Sequence, residues 1–258
     1  PMRVVSSDGV MLGEYGEERR SYLPIEQIPK VMQDAVLAIE DARFYEHGGI
    51  DYKGILRAAV ENLRDSRSQG ASTITMQVAR NFYLSTEKTF TRKIYEILLS
   101  LKIESQLSKR KILEVYMNQI FLGQRAYGFA AASEIYFGKP LKDITVAEAA
   151  MLAGLPKAPS AYNPIRNRKR ATLRQRYILE RMVENGFITE AQRDEALAQE
   201  LSYPSPRGSD IHAEYAVETA RQLIFAQYGE AAYTRGLTVE LSRKSTRLNS
   251  SHSRAPRM

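Results

Sequence analysis

The chain has 258 residues, of which 43% are apolar and 26% are charged, a balance typical of a globular protein with a sizeable core. No stretch approaches the roughly 18 consecutive apolar residues of a membrane-spanning helix. The absence of cysteine excludes disulfides and thiolate chemistry. The formal charge of +7 is concentrated at one end of the chain.

Residues 242–258, SRKSTRLNSSHSRAPRM, carry five basic residues and no acid, namely Arg243, Lys244, Arg247, Arg254 and Arg257. This segment has no apolar periodicity, so we expect it to be disordered. It is similar to translated cloning sequence, and we interpret it as a non-native tail. The rest of the chain is nearly neutral, and we expect no nucleic-acid partner.

The first predicted elements are strands, followed by a helix. MRVVSSDGVMLGEYG, with its Asp8-Gly9 turn, indicates a β-like lead-in over residues 1–22. Pro29 suits the first turn of a helix that reaches Glu40 and is stopped by the glycine pair at 48 and 49. Its apolar residues at helical spacing are Val31, Ala35, Ala38 and Ile39.

The stretch EDARFYEHGG, residues 40–49, concentrates charge and ring surface at the end of this helix. A glutamate beside aromatic surface can have its pKa raised, which suits a general acid or base. The competing interpretation is structural. In that case Glu40 and Asp41 are solvated, Arg43 pairs with one of them, and Phe44 packs inward.

Two helix starts follow. Asp51 can cap a helix whose apolar face is Ile55, Leu56, Ala59, Val60 and Leu63. In GASTITMQVARN, residues 70–81, small hydroxyls stand at a helix start at Ser72 or Thr73, with Gln77 and Arg80 further along. This arrangement is either an anion cradle or an ordinary N-capped helix.

The segment from Phe82 to Thr91 places Lys88 among Ser, Thr and Glu, a composition suited to a loop that closes over an anion. We predict that this loop is mobile without ligand. In the helix that follows, Arg92, Lys93 and Glu96 share one face. The opposite stripe is apolar, the pattern of a salt-bridged amphipathic helix, and consists of Ile94, Ile97, Leu98 and Leu101.

The remaining signals are also mainly helical. KRKILEVYMN, residues 109–118, predicts a scaffold helix with Ile112, Leu113 and Tyr116 packed inward. Capping boxes at Thr145-x-x-Glu148 and Thr189-x-x-Gln192 start further helices. Stops are expected at Gly186 and in LPKAPSAYNP, and GLTVEL is a late strand signal. The sequence therefore predicts a mainly α fold.

The order and spacing of these motifs resemble the family-51 glycosyltransferases, the peptidoglycan transglycosylase domains of class A bifunctional penicillin-binding proteins. The matching residues are Glu40-Asp41-x-x-Phe44-x-x-His47-x-Gly49, Gly70-x-Ser72-Thr73-Ile74-x-x-Gln77, Arg92-Lys93-x-x-Glu96 and Ile112-Leu113-Glu114-x-Tyr116-x-Asn118. GFAAASEIYFGK and AAMLAGLPKAPSAYNP continue the match, which runs from Leu23 to about Leu197.

The resemblance implies a lysozyme-like glycosyltransferase fold with a small, mobile, membrane-facing lobe. It also implies an inverting transfer in which lipid II extends a lipid-pyrophosphate-linked glycan through β-1,4 bonds. Making this bond requires removing the proton of an acceptor hydroxyl, and Glu40 is the candidate base. The departing lipid pyrophosphate is anionic, so cations must meet its charge.

The motif positions assign the other roles. Arg80, Lys88 and Arg92 are the candidate pyrophosphate ligands, and Glu96, the second catalytic candidate, orients them or the donor. Ser72 and Gln77 would hold phosphate or sugar oxygens, with Asn81 in the same substrate-binding set. The structural set comprises Asp41, Phe44, His47, Lys93, Glu114, Tyr116 and Asn118. One departure is that Met76 and Arg80 stand where many members have Gln and Lys.

The resemblance also sets expectations for partners and location. We expect lipid II and the lipid-linked growing glycan as substrates, and the membrane surface and other cell-wall synthesis proteins as partners. The expected location is the periplasmic face of the bacterial cytoplasmic (inner) membrane, with the anchor missing from this chain. No protein metal site or tightly bound cofactor is expected, although a divalent cation, Mg²⁺ or Mn²⁺, could assist the pyrophosphate.

The expected domain organisation has four parts. Residues 1–22 form the lead-in, 23–200 the glycosyltransferase domain, 201–241 a linker or the start of a truncated second domain, and 242–258 the tail. Ser85-x-x-Lys88 and Ser108-x-x-Lys111 match the spacing of a penicillin-binding nucleophile, but no Lys-Thr-Gly triad accompanies them. We therefore predict no β-lactam adduct on this chain.

Two other functional classes stay open. A lysozyme-like hydrolase or lytic enzyme would cleave glycan strands instead of consuming lipid II. A non-enzymatic module would use FYLSTEKTFTRKIYEILLSLKI as an amphipathic face on a membrane surface.

Overall fold

A computed structural model describes residues 2–9, 11–15, 19–54, 72–83, 90–203, 214–229, 231 and 237–241. The chain separates into two compact units, one of residues 20–204 and one of residues 1–19 with 205–258. Lys88, most of the predicted loop 82–91, the apolar face 55–63 and the tail 242–258 lie outside the described residues. The four-part domain division stays a prediction.

The described elements are mainly helical, which confirms the predicted fold class. The strands are β1 (Met2–Ser6), β2 (Met11–Tyr15), β3 (Arg19–Arg20), β4 (Ala126–Tyr127) and β5 (Thr238–Leu241). The helices are α1 (Lys30–Glu40), α2 (Ile74–Tyr83), α3 (Phe90–Gln106), α4 (Lys109–Gln119), α5 (Phe129–Phe137), α6 (Val146–Ala153), α7 (Arg168–Glu184), α8 (Glu190–Ala198) and α9 (Glu214–Tyr228). Short 3-10 turns occur at Ile25–Gln27, Phe44–Glu46 and Leu141–Asp143.

The smaller unit contains a three-stranded sheet in the order β2-β1-β5. β1 pairs antiparallel with β2 through the predicted Asp8-Gly9 turn, and parallel with β5. Met2, Val4 and Val217, the last from α9, form its buried apolar cluster. Both strand signals in the sequence are confirmed.

In the larger unit, α1 packs against α6 and α7, while α2 packs against α3 and α4. Of the predicted apolar positions of α1, Ala35 and Ala38 are buried, whereas Val31 and Ile39 are half-buried. The buried face also includes residues that were not predicted, namely Met32, Val36 and Leu37. Pro29 is the N-cap rather than a first-turn residue, and the helix ends at Glu40, before the glycine pair. The backbone leaves helical geometry at Asp41, whose carboxylate binds elsewhere in the unit.

Side-chain caps fix several helix starts. Both predicted capping boxes are present, at Thr145–Glu148 and Thr189–Gln192. Thr73 Oγ1 accepts the Met76 N–H at the start of α2, as predicted. Ser108 accepts the Lys111 N–H and caps α4, so this Ser-x-x-Lys pair is a helix cap.

An ordinary amphipathic helix buries its apolar face, whereas helix α3 buries polar residues and exposes apolar ones. Glu96 and Ser100 are buried, whereas Ile94, Leu98 and Leu101 are exposed. The usual assumption that the apolar stripe faces the core is therefore wrong here. The physical reason is that Glu96 is neutralised by neighbouring cations and can be buried, which leaves the apolar stripe to face outward.

Candidate active site

Glu40, the last residue of α1, is half-buried where the helix meets α2. The Gln77 side chain donates from Nε2 to Glu40 Oε2 at 2.8 Å. Burial raises the pKa of Glu40, while the Gln77 hydrogen bond and the charges of Arg174, Arg80 and Lys157 act in the opposite direction. A raised pKa makes a carboxylate a stronger base, which suits it to accept a proton from a substrate hydroxyl.

Gln77 is held from its other side by a buried tyrosine. Tyr116 of α4 donates its hydroxyl to Gln77 Oε1 at 3.4 Å, so Tyr116, Gln77 and Glu40 form a connected chain. Burial raises the pKa of Tyr116 well above its usual value, and the hydroxyl therefore stays a donor. The structural role expected for Tyr116 thus includes a contact to the candidate site.

A cavity of about 480 Å³ opens beside Gln77. Two further residues of the predicted substrate-binding set, Arg80 and Asn81, line it. The lining also includes the exposed residue Phe121, whose ring packs against Tyr127 with 5.1 Å between ring centroids. The cavity thus combines a cation, amides and ring surface, a combination suited to an anionic sugar conjugate. Its full lining is Gln77, Arg80, Asn81, Gln119, Ile120, Phe121, Tyr127, Pro156 and Pro159.

The loop after Glu40 is anchored to the start of α2. Buried Asp41 lies 2.9 and 3.0 Å from His47 Nε2 and accepts the Ile74 N–H at 3.1 Å. Thr73 donates to the Gly49 carbonyl at 2.6 Å. Gly49 has a φ of +92°, and a side chain there would meet the Ser100 carbonyl at 3.2 Å, so this close approach requires glycine.

Two parts of the structural interpretation of this stretch are wrong. Asp41 is buried rather than solvated, and Arg43 pairs with Asp51 instead of with Glu40 or Asp41. Phe44 is fully buried as expected, and Lys109 Nζ lies 4.2 Å from its ring centroid.

Glu96 is the second candidate carboxylate and is buried on the inner face of α3. Lys93 Nζ donates to Glu96 Oε2 at 2.9 Å and to Ser72 Oγ at 3.0 Å. Arg92 Nε lies 3.4 Å from Glu96 Oε1. These contacts bring together Ser72, Arg92, Lys93 and Glu96. They link the start of α2 to α3.

Glu114 and Asn118 are not among the residues that line the cavity, and they hold the segment before α1. Glu114 accepts the Ile25 N–H at 3.0 Å and binds Tyr22 and Lys111. The hydrogen bond from Lys111, followed by that from Tyr22, lowers the pKa of Glu114 to about 2. Asn118 donates to the Leu23 carbonyl and accepts the Leu23 N–H, each at 2.8 Å.

Two cations near Glu40 were missed by sequence reasoning. The guanidinium carbon of Arg174, in α7, lies 5.7 Å from the ring centroid of Tyr162 and 5.4 Å from that of Tyr177. Lys157 follows α6 and is exposed. Both act on the pKa of Glu40. The LPKAPSAYNP motif contained a signal for Lys157, whereas Arg174 sits in an arginine-rich helix where nothing distinguishes it locally.

Among the described residues, no group of three or more His, Asp or Glu side chains is arranged to hold a metal ion. Nor does any described helix combine the length and apolarity needed to cross a membrane.

Comparison with known proteins identifies the family. The Transglycosylase family model matches residues 8–183. Penicillin-binding protein 1A of Neisseria flavescens is 58% identical over 241 residues, covering 93% of this chain and 30% of the relative. Penicillin-binding protein 1A of Vibrio cholerae is 50% identical over 243 residues, covering 93% of this chain and 29% of the relative. The chain therefore spans less than a third of the length of these relatives.

Solved structures give the same result. The crystal structure of penicillin-binding protein 1A from Haemophilus influenzae matches with a TM-score of 0.56 and 30% sequence identity. The match covers 93% of this chain and 26% of that protein. The fold of this chain is therefore similar to part of a solved penicillin-binding protein 1A structure.

Proposed function

Because the chain belongs to the transglycosylase family, we propose that it is a peptidoglycan glycosyltransferase that polymerises lipid II into β-1,4 glycan strands. The environment of Glu40 carries this proposal. Its carboxylate has a raised pKa, accepts one hydrogen bond from Gln77, and lies near a cavity with cationic and amide lining. A base for an acceptor hydroxyl requires a pKa suited to proton transfer and a position that the hydroxyl can reach.

In the proposed reaction, Glu40 takes the proton from the acceptor sugar hydroxyl. The hydroxyl oxygen then forms a bond to the anomeric carbon of the donor, with inversion, while the bond from that carbon to the phosphate oxygen breaks. The lipid pyrophosphate leaves with the bonding electrons. Arg80, at the cavity, meets this charge, and Arg92 and Lys88 are assigned to it by their motif positions.

In this scheme Glu96 orients neighbouring cations. It pairs with Arg92 and Lys93, and Lys93 in turn donates to Ser72 Oγ. Fixing these groups in advance lets them meet the donor without reorganisation. The predicted sugar or phosphate contacts of Ser72, Gln77 and Asn81 fit this arrangement.

The outward apolar stripe of α3 supports a site at a membrane surface. One face of α3 exposes four large apolar residues, namely Ile94, Tyr95, Leu98 and Leu101. Single exposed apolar residues are common on protein surfaces, whereas a contiguous group of them indicates an interaction surface. An interfacial helix buries such a face among lipid headgroups. We place the enzyme on the outer face of the cytoplasmic membrane, where a lipid-linked substrate is accessible.

Incubating the purified chain with lipid II in detergent micelles tests the function. We expect a ladder of glycan products and loss of lipid II, whereas purified glycan strands should stay intact. Release of fragments from the strands without consumption of lipid II would instead favour the hydrolase. Binding to anionic vesicles with neither reaction would favour the non-enzymatic module. Parallel reactions with Mg²⁺, Mn²⁺ or a chelator test the predicted divalent cation.

A further inference from the structure

The hydrogen-bonded chain from Tyr116 through Gln77 to Glu40 joins three helices. Tyr116 belongs to α4, Gln77 to α2 and Glu40 to α1. Its two links are 3.4 Å from the Tyr116 hydroxyl to Gln77 Oε1 and 2.8 Å from Gln77 Nε2 to Glu40 Oε2. The tyrosine does not need to contact a substrate in order to influence Glu40.

The chemistry of each group fixes the direction of these bonds. An ionised glutamate has only acceptors, so the amide must present its NH₂ to Glu40. The amide oxygen then faces the opposite way, toward Tyr116. A hydroxyl can donate there, and Tyr116 is the donor found for Gln77 Oε1 among the described residues. Without that donor, either orientation of the amide leaves one buried polar atom poorly satisfied.

We propose that Tyr116 is a positioning residue that locks the Gln77 amide with its NH₂ toward Glu40. The proposal deepens the proposed function, on which its catalytic meaning rests. Because bonds in such a chain polarise one another, the hydroxyl also strengthens the Gln77 contact to the carboxylate. Tyr116 thereby favours the ionised form of Glu40, the form that can accept a proton.

Other charged groups face Glu40 from the surrounding elements. These are Arg80 of α2, Arg174 of α7 and Lys157 of the segment after α6, and all three favour its ionised form. Of these three, Arg80 also acts on the pKa of Tyr116. A change in the titration of Glu40 in Tyr116→Phe therefore reports on the amide, rather than on Arg80, only if it disappears when Gln77 is replaced.

The experiment measures the titration of Glu40 directly by carboxyl ¹³C NMR, with the signal assigned by its loss in Glu40→Gln. In Tyr116→Phe we expect the midpoint to move upward by up to about one pH unit, the size of the Gln77 hydrogen bond to the carboxylate that an unlocked amide would lose. Tyr136→Phe is the matched control, because Tyr136 is also fully buried and donates its hydroxyl to the Leu122 carbonyl at 2.9 Å. It should leave the midpoint unchanged.

A double-variant cycle tests whether Tyr116 acts through Gln77. In a Gln77→Leu background, Tyr116→Phe should cause no further shift. An unchanged midpoint in Tyr116→Phe, an equal shift in Tyr136→Phe, or a shift that persists in Gln77→Leu would overturn the proposal. The wild-type protein supplies an independent measurement: NOEs from the Gln77 amide protons should be stronger to Glu40 than to Tyr116, and the reverse pattern would contradict the assigned orientation.

These measurements need no substrate, so they separate the positioning role from the proposed function. If the chain polymerises lipid II, the acid limb of its rate against pH should move upward in Tyr116→Phe together with the NMR midpoint. At a given pH on that acid limb, the rate of a variant whose midpoint is one unit higher should be about tenfold below that of the wild type. A shifted midpoint in a protein that never consumes lipid II would retain the positioning role and reject the function.

Discussion

Glu96→Gln tests how the second carboxylate of the site works. Glu96 is 1% exposed and lies within ion-pair distance of Lys93 and Arg92. Removing one partner of a buried ion pair costs about 3–5 kcal/mol. The Lys93 side chain is 41% exposed and can turn toward water, so we expect a smaller loss of unfolding free energy, about 1–3 kcal/mol.

A loss of function of similar size should accompany this loss of stability. Glu96 is proposed to orient Arg92 and Lys93 toward the donor pyrophosphate. Replacing its carboxylate with a neutral amide should therefore weaken the charge-assisted contact between these cations and the pyrophosphate. We expect donor affinity to fall roughly tenfold to a hundredfold. Turnover should also fall, with the larger share of the loss in binding. The assay titrates lipid II blocked at its acceptor hydroxyl, which can serve only as a donor, and compares polymerisation rates.

Glu104→Gln is the matched control. Glu104 lies on the same helix, accepts the Thr75 hydroxyl at 2.5 Å and pairs with Lys109 at 2.8 Å. This variant should lose stability while donor affinity stays near that of the wild type. Unchanged donor affinity in Glu96→Gln, or an equal loss in Glu104→Gln, would refute the assigned role.

Three further predictions address other parts of the molecule. Arg174→Gln should raise the pKa of Glu40 further, because the arginine charge opposes the effect of burial; the acid limb of the rate against pH should move upward. Glu114→Gln should lower the melting temperature at neutral pH. Since the pKa of Glu114 is lowered from 4.5 to about 2, its contribution is present above pH 4.5 and lost as pH falls toward 2, so the two melting curves should converge over that window. Leu98→Asp with Leu101→Asp should weaken binding to vesicles without changing the melting temperature, because both side chains are exposed.

Local chemistry made much of the fold predictable. Capping boxes, the Thr73 cap and the Asp8-Gly9 turn depend on a few neighbouring residues, and the structure has each of them. The apolar period of α1 likewise predicted part of its buried face, at Ala35 and Ala38. These features need no knowledge of the distant chain.

The exposed face of α3 and the cations around Glu40 were not predictable in this way. Periodicity identifies two faces of a helix but does not say which one is buried, and Glu96 is buried through its ion pairs. Arg43 binds Asp51 because the loop geometry brings that carboxylate close. Arg174 approaches Glu40 only through the packing of α1 on α7. Long-range packing decides each of these contacts.

The most direct test of the account is the polymerisation rate of Glu40→Gln. The variant keeps the shape of the side chain but cannot accept the proton, so turnover should fall by about 10²–10⁴-fold. Binding of the blocked donor should be retained, and the unfolding free energy should change by no more than about 0.5 kcal/mol. Turnover near that of the wild type would contradict the assignment of Glu40 as the base.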